Sequence, residues 1–308
     1  MVDFTVAICT YNGEKRLPDV LEKLRSQIET DSISWEILVI DNNSNDGTAE
    51  LIKNYISNWQ ENYTLKYCFE DEQGLAFARR CAVKEANSEL IGFLDDDNLP
   101  YPNWVIEAYK FGQEHPEAGA YGGQIHGKFE VEPPPGFERI AGLLALIEGK
   151  KTYCFNHKFA KTKKRVFPPG AGIVVRKKAW LDSIFKEPKL SQIGEDIEFL
   201  SSMYSKDWQI WFNAKMEIDH VMPQSRLSRE YLTKFLFKNG LYRHRIRMLN
   251  CQPWQRPLIV FPYAINDLKK IILHWLKYNQ HLQNDTISLA EMNLLLGSFL
   301  SPFIKNIN

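Results

Sequence analysis

Short apolar runs, many of them β-branched, alternate with segments of helical period between residues 4 and 94. The runs predict strands and the intervening segments predict helices, in chain order over Phe4–Cys9, Glu14–Ile28, Trp35–Ile40, Asp46–Trp59, Tyr63–Phe69, Leu75–Ala86 and Leu90–Leu94. A strand that recurs after each helix favours crossover connections and parallel pairing. The sequence therefore predicts an α/β fold in which a mostly parallel central sheet carries helices on both faces.

The pattern changes beyond residue 94. The next segments predict, in order, helix, strand, strand, helix and strand, over Trp104–Glu114, Gly119–Phe129, Ala171–Arg176, Glu195–Tyr204 and Trp208–Phe212. After these, only helical periods remain, over Arg229–Leu249, Leu258–Leu282 and Leu289–Leu300. We therefore expect an α/β domain of residues 1–225 and a helical C-terminal region of residues 226–308.

The composition argues against several classes of protein. Lysine plus arginine and aspartate plus glutamate both number 38, so no net positive charge indicates a nucleic-acid partner. The 5 cysteines show no C-x-x-C spacing, which argues against a zinc site or a disulfide framework and suits a reducing cytosol. No signal-peptide pattern opens the chain, and no apolar run reaches the roughly 18 residues of a membrane span. We expect a cytoplasmic protein.

The strand predicted over Leu90–Leu94 ends in three adjacent carboxylates, Asp95, Asp96 and Asp97. Adjacent like charges repel, so stability alone explains this cluster poorly. Carboxylates at the carboxyl end of a strand form an oxygen-rich site for a hard divalent cation, and ligands of open α/β sheets bind at that edge. A solvated acidic turn is the alternative.

Polar residues follow the other predicted strands as well. The first strand is followed by Thr10, Tyr11 and Asn12, and the second by Asp41 and Asn43. The third is followed by Gly74 and Arg79. Each group alone is typical of a turn or a helix entry. If the sheet is parallel, all of them lie at one edge together with the carboxylates, where a single ligand can touch them.

These motifs resemble those of the family 2 glycosyltransferases of the GT-A fold. The matching segments are Cys9-Thr10-Tyr11-Asn12, Asp41-Asn42-Asn43-Ser44, Gly74-Leu75-Ala76, Ala78-Arg79 and Phe93-Leu94-Asp95-Asp96-Asp97. The resemblance covers about residues 1–225 and extends to Pro169–Gly172, Gly194–Asp196 and His220. It implies a Rossmann-like domain that takes nucleotide-diphosphate sugars, commonly UDP-linked, and transfers the sugar with a divalent metal and inversion. Within the family the chain most resembles cyanobacterial transferases of the hormogonium exopolysaccharide type.

The resemblance also implies roles for the acidic cluster. Asp97 would be the main ligand of Mn²⁺ or Mg²⁺, and His220 a further ligand of the metal or phosphate, with a structural histidine as the alternative. Asp95 would hold the ribose hydroxyls or reach the metal through water, and Asp96 belongs to the same donor-binding set. A cation there would stabilise the charge that builds on the leaving phosphate.

The resemblance also implies that Thr10, Tyr11 and Asn12 frame the base, with the first turn of a helix entry as the alternative, and that Asp41 accepts from the base or ribose. Asn43 and Gly74 belong to the same donor-binding set. Arg79 would brace the acidic cluster or the nucleotide phosphates, an ordinary surface arginine being the alternative. Inversion needs a base that takes the proton of the acceptor hydroxyl. Asp196 is the candidate, with Glu195 as support or substitute, although both also suit a helix N-terminus.

The resemblance has one informative departure. Processive members carry Q-x-x-R-W after the base motif, whereas this chain has Pro223-Gln224-Ser225-Arg226-Leu227, which implies transfer of single residues. A sugar-nucleotidyltransferase of related fold is the enzymatic alternative, but it needs a Gly-rich basic loop where this chain has Thr10–Glu14. A silent family member acting as a scaffold is the other alternative, and loss of the carboxylates would signal it.

Basic residues beside an apolar helical segment predict contact with a membrane surface. One basic set comprises Lys150, Lys151, Lys158, Lys161, Lys163, Lys164 and Arg165; a second comprises Arg243, His244, Arg245 and Arg247. The second precedes a helical period with Leu268, Ile271, Ile272, Trp275 and Leu276. This combination predicts peripheral association with the anionic inner leaflet, where a lipid-diphosphate-linked acceptor resides. The alternative is that the apolar side packs on the catalytic domain.

Overall fold

The computed structural model describes residues 2–155, 167–183, 194–249, 251–252, 254–280 and 282–304, except for the side chain of Glu195. The chain divides into two compact units, residues 1–128 with 145–221 and residues 129–144 with 222–308. The boundary thus falls four residues before the expected position, and segment 129–144 joins the helical unit. The predicted basic residues Lys158, Lys161, Lys163, Lys164 and Arg165 lie outside the described residues.

Four parallel strands form one half of the sheet: β1 (Phe4–Thr10), β2 (Trp35–Asp41), β3 (Thr64–Phe69) and β4 (Leu90–Asp95). The helices that connect them are α1 (Leu17–Arg25), α2 (Thr48–Ser57) and α3 (Leu75–Glu85). β1 lies between β2 and β4, and β3 pairs with β2. Thr10 lies opposite Asp41, and Cys9 lies opposite Asp95, so three strands end level at one edge.

The other half of the sheet is antiparallel. Its strands are β5 (Asn98–Pro100), β6 (Ala118–Phe129), β7 (Tyr153–Cys154), β8 (Val174–Arg176) and β9 (Gln209–Met222). The strand order is β3-β2-β1-β4-β8-β6-β9-β5, with β7 also paired to β9. The prediction of a mostly parallel sheet therefore holds for the first four strands and not for the others. β9 also runs to Met222, well past the predicted end of that strand at Phe212.

Apolar layers on both sides bury the central strands, and every residue of β1 and β2 is buried. On one face, Val6 and Ile8 of β1 belong to the same cluster as the apolar side of α1. On the other face, Ala7 packs with Ala78 and Ala82 of α3, whose small side chains suit a close helix-to-sheet contact. The remaining helices of this unit are α4 (Trp104–Glu114), α5 (Lys177–Ser183) and α6 (Glu195–Ser205).

The second unit is helical. It comprises α7 (Gln224–Leu227), α8 (Arg229–Met248), α9 (Arg256–Tyr278) and α10 (Thr286–Leu300), with two 3₁₀ turns at Phe137–Arg139 and Ala141–Leu144. Asp285 caps α10 by accepting from the backbone N–H groups of Ile287 and Ser288. Among the described helices, none is both long and apolar enough to cross a membrane.

Two glycines let α8 and α10 approach each other at backbone distance. A Cβ atom on Gly240 would lie 2.4 Å from the carbonyl oxygen of Leu294, and one on Gly297 would lie 2.4 Å from that of Phe237. Real Cβ atoms do not approach backbone oxygens so closely, and neither backbone can move without separating the helices. The crossing of α8 and α10 therefore requires glycine at both positions.

A buried ion pair joins α8 to α9. Arg247 donates two hydrogen bonds to the carboxylate of Asp267, at 2.7 and 2.8 Å, and Ser298 of α10 bonds to both groups. Asp267 is 1% exposed, and the pair with Arg247 and Ser298 outweighs burial and lowers the pKa of its carboxyl. The sequence predicts Arg247 to belong to a basic set at a membrane surface, but its guanidinium forms this buried ion pair.

We expect Gly297→Ala to destabilise the helical unit by about 1–3 kcal/mol, because the added methyl group overpacks the crossing against backbone atoms. Gly142→Ala is the matched control in the same unit, since a Cβ atom there meets nothing within 4 Å. Thermal and urea unfolding of both variants would measure the difference. Equal stability of Gly297→Ala and wild type would contradict the close crossing.

Candidate active site

The end of β1 is tied to the acidic cluster through Asp96. The Thr10 hydroxyl donates to Asp96 at 2.6 Å, and Arg16 donates two hydrogen bonds to the same carboxylate, both at 2.8 Å. A Cβ atom on Gly13 would lie 2.0 Å from the Thr10 hydroxyl oxygen, so this contact requires glycine. Asp96 is thus neutralised by Arg16, a residue that the sequence analysis missed although it opens the helix after β1.

The loops after β1 and β2 hold each other. The Asn12 N–H donates to the Ser44 hydroxyl, and the Asn45 N–H donates to the side-chain oxygen of Asn12, both at 2.9 Å. Asn12 and Asn43 adopt left-handed backbone conformations, with φ of 51° and 62°, which asparagine tolerates better than most residues. These two asparagines therefore shape the loops, while Tyr11 is 43% exposed at the same edge.

Asp41 is buried, and its carboxylate accepts hydrogen bonds from two groups of the protein. Its carboxylate accepts from the Ser44 N–H at 3.0 Å and from the Tyr67 hydroxyl at 2.8 Å. Burial and the neighbouring Asp41 raise the pKa of Tyr67, so its hydroxyl stays protonated and donates. Asp41 thus shapes the loop after β2, and its predicted contact with a base or ribose stays a prediction.

Asn42 is the residue that positions the loop before α3. Its side-chain oxygen accepts from the Gly74 N–H at 2.6 Å, and its side-chain nitrogen donates to the Glu72 carbonyl at 2.6 Å. Gly74 has φ of 146°, a conformation that side chains disfavour. Sequence reasoning named Asn43 and not Asn42 as a site residue, although Asn42 directly follows Asp41 at the end of the strand.

Asp97 and His220 face each other because β5 pairs with β9. Asn98 lies opposite His220, and the Val221 N–H donates to the Asp97 carbonyl at 2.9 Å. The His220 Nε2 atom lies 3.6 Å from an Asp97 carboxylate oxygen, and both side chains are about nine-tenths buried. The Asn98 side chain donates to the other Asp97 oxygen at 2.9 Å. His220 thus lies within β9, beyond the predicted strand end at Phe212.

Asp196 is fixed by two donors. Its carboxylate forms an ion pair with Arg79 and accepts from the Gly170 N–H at 3.0 Å. Arg79 is 2% exposed and lies over the ring of Phe93, so it is not the ordinary surface arginine that the sequence left open. Glu195 begins α6, but its side chain lies outside the described residues.

Asp95 lies in the field of the whole cluster. Burial, with a contribution from the charges of Asp97 and Asp196, raises its pKa to about 6 against the opposing effects of Arg79 and His220. Two carboxylates, a guanidinium and an imidazole therefore act on one carboxyl group. The structure brings together residues from β4, β9, α3 and α6 that the sequence predicts to share a site.

The cluster suits a cation that shares its ligands with a substrate. Among the described residues, no group of three or more His, Cys, Asp or Glu side chains is arranged to hold a metal by itself. However, the Asp97 oxygen and the His220 nitrogen, 3.6 Å apart, can both lie about 2.1 Å from one cation. An oxygen and an imidazole nitrogen fit Mn²⁺ and, less specifically, Mg²⁺. Further ligands would come from a bound diphosphate or water.

Residues 5–182 match the model of the family described as "Glycosyl transferase family 2". The chain belongs to this family. A relative is the glycosyltransferase AglE of Haloferax volcanii, 31% identical over 102 residues, which are 33% of this chain and 32% of AglE. Another is the poly(ribitol-phosphate) beta-N-acetylglucosaminyltransferase TarS of Staphylococcus aureus, 28% identical over 115 residues, which are 37% of this chain and 20% of TarS. The matches thus span a third or less of either relative.

Solved structures confirm the fold of this family 2 chain. S. aureus TarS in complex with UDP-GlcNAc superposes with a TM-score of 0.55 at 16% identity, covering 97% of this chain and 90% of that one. GalNAc-T7 with UDP, GalNAc and Mn²⁺ superposes with a TM-score of 0.57 at 15% identity, covering 82% of this chain and 52% of that one. At these identities the similarity establishes the GT-A architecture alone.

We expect Asp95→Asn to raise the melting temperature of the metal-free protein near neutral pH. An unfolded aspartate has a pKa of about 3.9, whereas that of folded Asp95 is about 6, so folding loses stability as the pH rises through this window. The advantage of the variant should be absent below about pH 4, grow up to about pH 6 and then stay constant. Thermal melts in EDTA across this range would check it; an advantage independent of pH would contradict it.

Proposed function

We propose that this chain transfers a single sugar from a nucleotide-diphosphate sugar, UDP-linked, to a glycan or lipid-linked acceptor, with a divalent metal and with inversion. The observation that carries the proposal is the convergence of Asp97, His220, Arg79 and Asp196 on Asp95 at the carboxyl edge of the parallel strands. Ligands of open α/β sheets bind at that edge. A site of this charge pattern suits a diphosphate bound through a cation.

The three adjacent aspartates have different partners, which supports different roles. Arg16 neutralises Asp96, Arg79 acts electrostatically on Asp95, and Asp97 faces His220 and Asn98. Asp97 and His220 would hold Mn²⁺ or Mg²⁺, and Asp95 would reach the ribose hydroxyls or a metal-bound water. A cation held there would stabilise the negative charge on the leaving diphosphate.

The donor's base and ribose would lie against the loops after β1 and β2. Tyr11 is the exposed aromatic group at this edge, and Thr10 and Asn12 flank it. Asp41, Asn43 and Gly74 would complete this side of the donor site. Because Asn42 and Ser44 tie these loops together, the donor would meet a surface that is already shaped.

Asp196 is the proposed base, with Glu195 beside it in the chain. The acceptor oxygen attacks the anomeric carbon opposite the leaving group, the bond to the diphosphate breaks, and the hydroxyl proton passes to the Asp196 carboxylate. Arg79 and the Gly170 N–H position that carboxylate, and it remains 33% exposed and therefore accessible. Attack from the face opposite the diphosphate accounts for inversion.

A role in cell-surface polysaccharide biosynthesis is the biological setting that we infer. The resemblance to exopolysaccharide transferases supports it, as does the name of TarS, which describes N-acetylglucosaminyl transfer to poly(ribitol-phosphate). None of the five cysteines, all of them in the described part of the chain, forms a disulfide, which supports a reducing compartment such as the cytoplasm. The absence of the Q-x-x-R-W motif supports single transfers.

The two alternatives have less support. A nucleotidyltransferase needs a basic group after the first strand that is available to a triphosphate, whereas Arg16 is bound to Asp96. A silent scaffold would have no need to keep Asp97, His220 and Asp196 in the arrangement observed. A screen of nucleotide sugars for metal-dependent binding and hydrolysis would distinguish all three, because only a transferase releases the nucleoside diphosphate.

We expect Asp97→Ala to abolish metal-dependent nucleotide binding and sugar transfer without lowering the stability of the metal-free protein. Removing one of three neighbouring negative charges relieves repulsion, so the melting temperature should stay equal or rise slightly. Calorimetric titration with UDP and Mn²⁺, together with thermal melting in EDTA, would test both parts.

Asp219→Asn is the matched control for Asp97→Ala, since Asp219 neighbours His220 on β9 but pairs opposite Leu99. It should bind UDP and Mn²⁺ as wild type does. A large fall in the melting temperature of Asp97→Ala would show that the carboxylate is structural and would refute its assignment as a metal ligand.

We expect Asp196→Asn to lower turnover by two to four orders of magnitude with little change in the affinity for the donor, because an amide cannot take the proton at neutral pH. Asp207→Asn, at an exposed position just after α6, should leave turnover unchanged. Steady-state kinetics with calorimetric donor binding would separate the two effects. Turnover equal to that of wild type would show that Asp196 is not the base, and Glu195 would be the next candidate.

A further inference from the structure

Helix α9 presents an apolar side to solvent. We define the α9 apolar face by six side chains that are 45–73% exposed, namely Leu258, Phe261, Ile265, Leu268, Ile272 and Trp275. Their spacing alternates between three and four residues, so they form one stripe along the helix. Large apolar side chains in a continuous stripe differ from scattered exposed ones and indicate an interaction surface.

The buried ion pair fixes which way this face points. Asp267 is the one buried residue among those described in α9, and its carboxylate is held by Arg247 of α8 and Ser298 of α10. His274, further along the helix, bonds to the Ser288 carbonyl of α10 at 2.9 Å. Rotating α9 to hide the apolar face would break the Asp267 pair and expose a different side, so the outward orientation is built in.

The charges around the face have one sign. Arg256, Lys269, Lys270 and Lys277 of α9 are exposed, and the only acidic residue of the helix is the buried Asp267. An antiparallel or parallel second copy of α9 would bring lysines together with no acidic residue of α9 to pair with them. An anionic bilayer instead complements both features, because its phosphates can pair with the lysines and its acyl chains can cover the apolar stripe.

The aromatic residues and the length of α9 agree with a surface position. Trp254 is 69% exposed just before the helix, and Trp275 lies within the face; tryptophan is enriched where a bilayer meets water. Among the described helices, none is long and apolar enough to cross a membrane. A helix with a strong apolar side and a lysine-bearing polar side lies in the plane of the interface.

We propose that α9 binds the surface of an anionic bilayer, with the α9 apolar face among the acyl chains and Lys269, Lys270 and Lys277 at the phosphates. Such docking would hold the protein where a lipid-diphosphate-linked acceptor is found, a consequence that rests on the proposed function. The basic residues that contact the phosphates in this proposal are lysines of α9. They differ from the set expected from sequence, in which Arg247 is bound to Asp267. The contact itself depends only on α9.

The test is co-sedimentation of the full chain with phosphatidylcholine vesicles, with and without phosphatidylglycerol, at low salt and without nucleotide. Wild type should bind only the anionic vesicles. Changing Lys269, Lys270 and Lys277 to glutamate should weaken binding about a hundredfold or more. The matched control changes Lys23, Lys53 and Lys84, all exposed on the other unit, to glutamate, which gives the same net charge and should leave binding intact.

A second pair of variants tests the apolar contribution. Phe261→Ser and Ile265→Ser should each weaken binding about tenfold or more, whereas Ile28→Ser and Leu181→Ser, at exposed positions elsewhere, should not. All six side chains of the α9 apolar face are exposed, so thermal melting should show that these variants fold as wild type does.

Three outcomes would overturn the proposal: equal binding to neutral and anionic vesicles, no binding to either, or a solution dimer that the α9 variants dissociate. The last would assign the face to a second copy. Titration with UDP and Mn²⁺ is run on the same samples, so failure of vesicle binding with intact nucleotide binding refutes the docking without refuting the transferase.

Discussion

The parallel pairing of β1 with β2 on one side and β4 on the other is the constraint on which the rest of the structure depends. Phe4, Val6 and Ile8 of β1 lie in one core cluster and Ala7 and Cys9 in the other, so a shift of register by one residue would exchange large and small side chains between the two faces and is strongly disfavoured. The register brings Thr10, Asp41 and Asp95 to the same edge. The candidate site is therefore a consequence of core packing, because the strand ends are level only in this register.

Clustering carboxylates at that edge is unfavourable by itself, and the fold offsets the repulsion one group at a time. Arg16 from the start of α1 neutralises Asp96, and Arg79 from α3 pairs with Asp196. Asp97 accepts a hydrogen bond from Asn98 and faces the imidazole of His220 from β9. Asp95, partly buried among them, keeps a raised pKa, chiefly through desolvation and with contributions from Asp97 and Asp196. A divalent cation would supply the missing positive charge, so the electrostatics of the folded chain favour the ligand that the chemistry needs.

The helical unit uses a buried charge for a different purpose. The pair of Arg247 and Asp267 contributes little net stability by the usual balance of desolvation and attraction, but breaking it is costly. It therefore specifies the rotation of α9, and with it which side chains of that helix face solvent. The close crossing of α8 and α10 at Gly240 and Gly297 holds the helices against which α9 is oriented.

The sequence by itself determined the strand and helix alternation of residues 4–94, because periodicity is a local property, and it placed Asp95, Asp96 and Asp97 at a strand end. Only the tertiary structure decided the antiparallel half of the sheet, the extension of β9 to His220, and the pairing of Arg79 with Asp196. Arg79 and Asp196 lie 117 residues apart in the chain. No local pattern encodes such contacts, since they exist only once distant strands and helices have packed around one core.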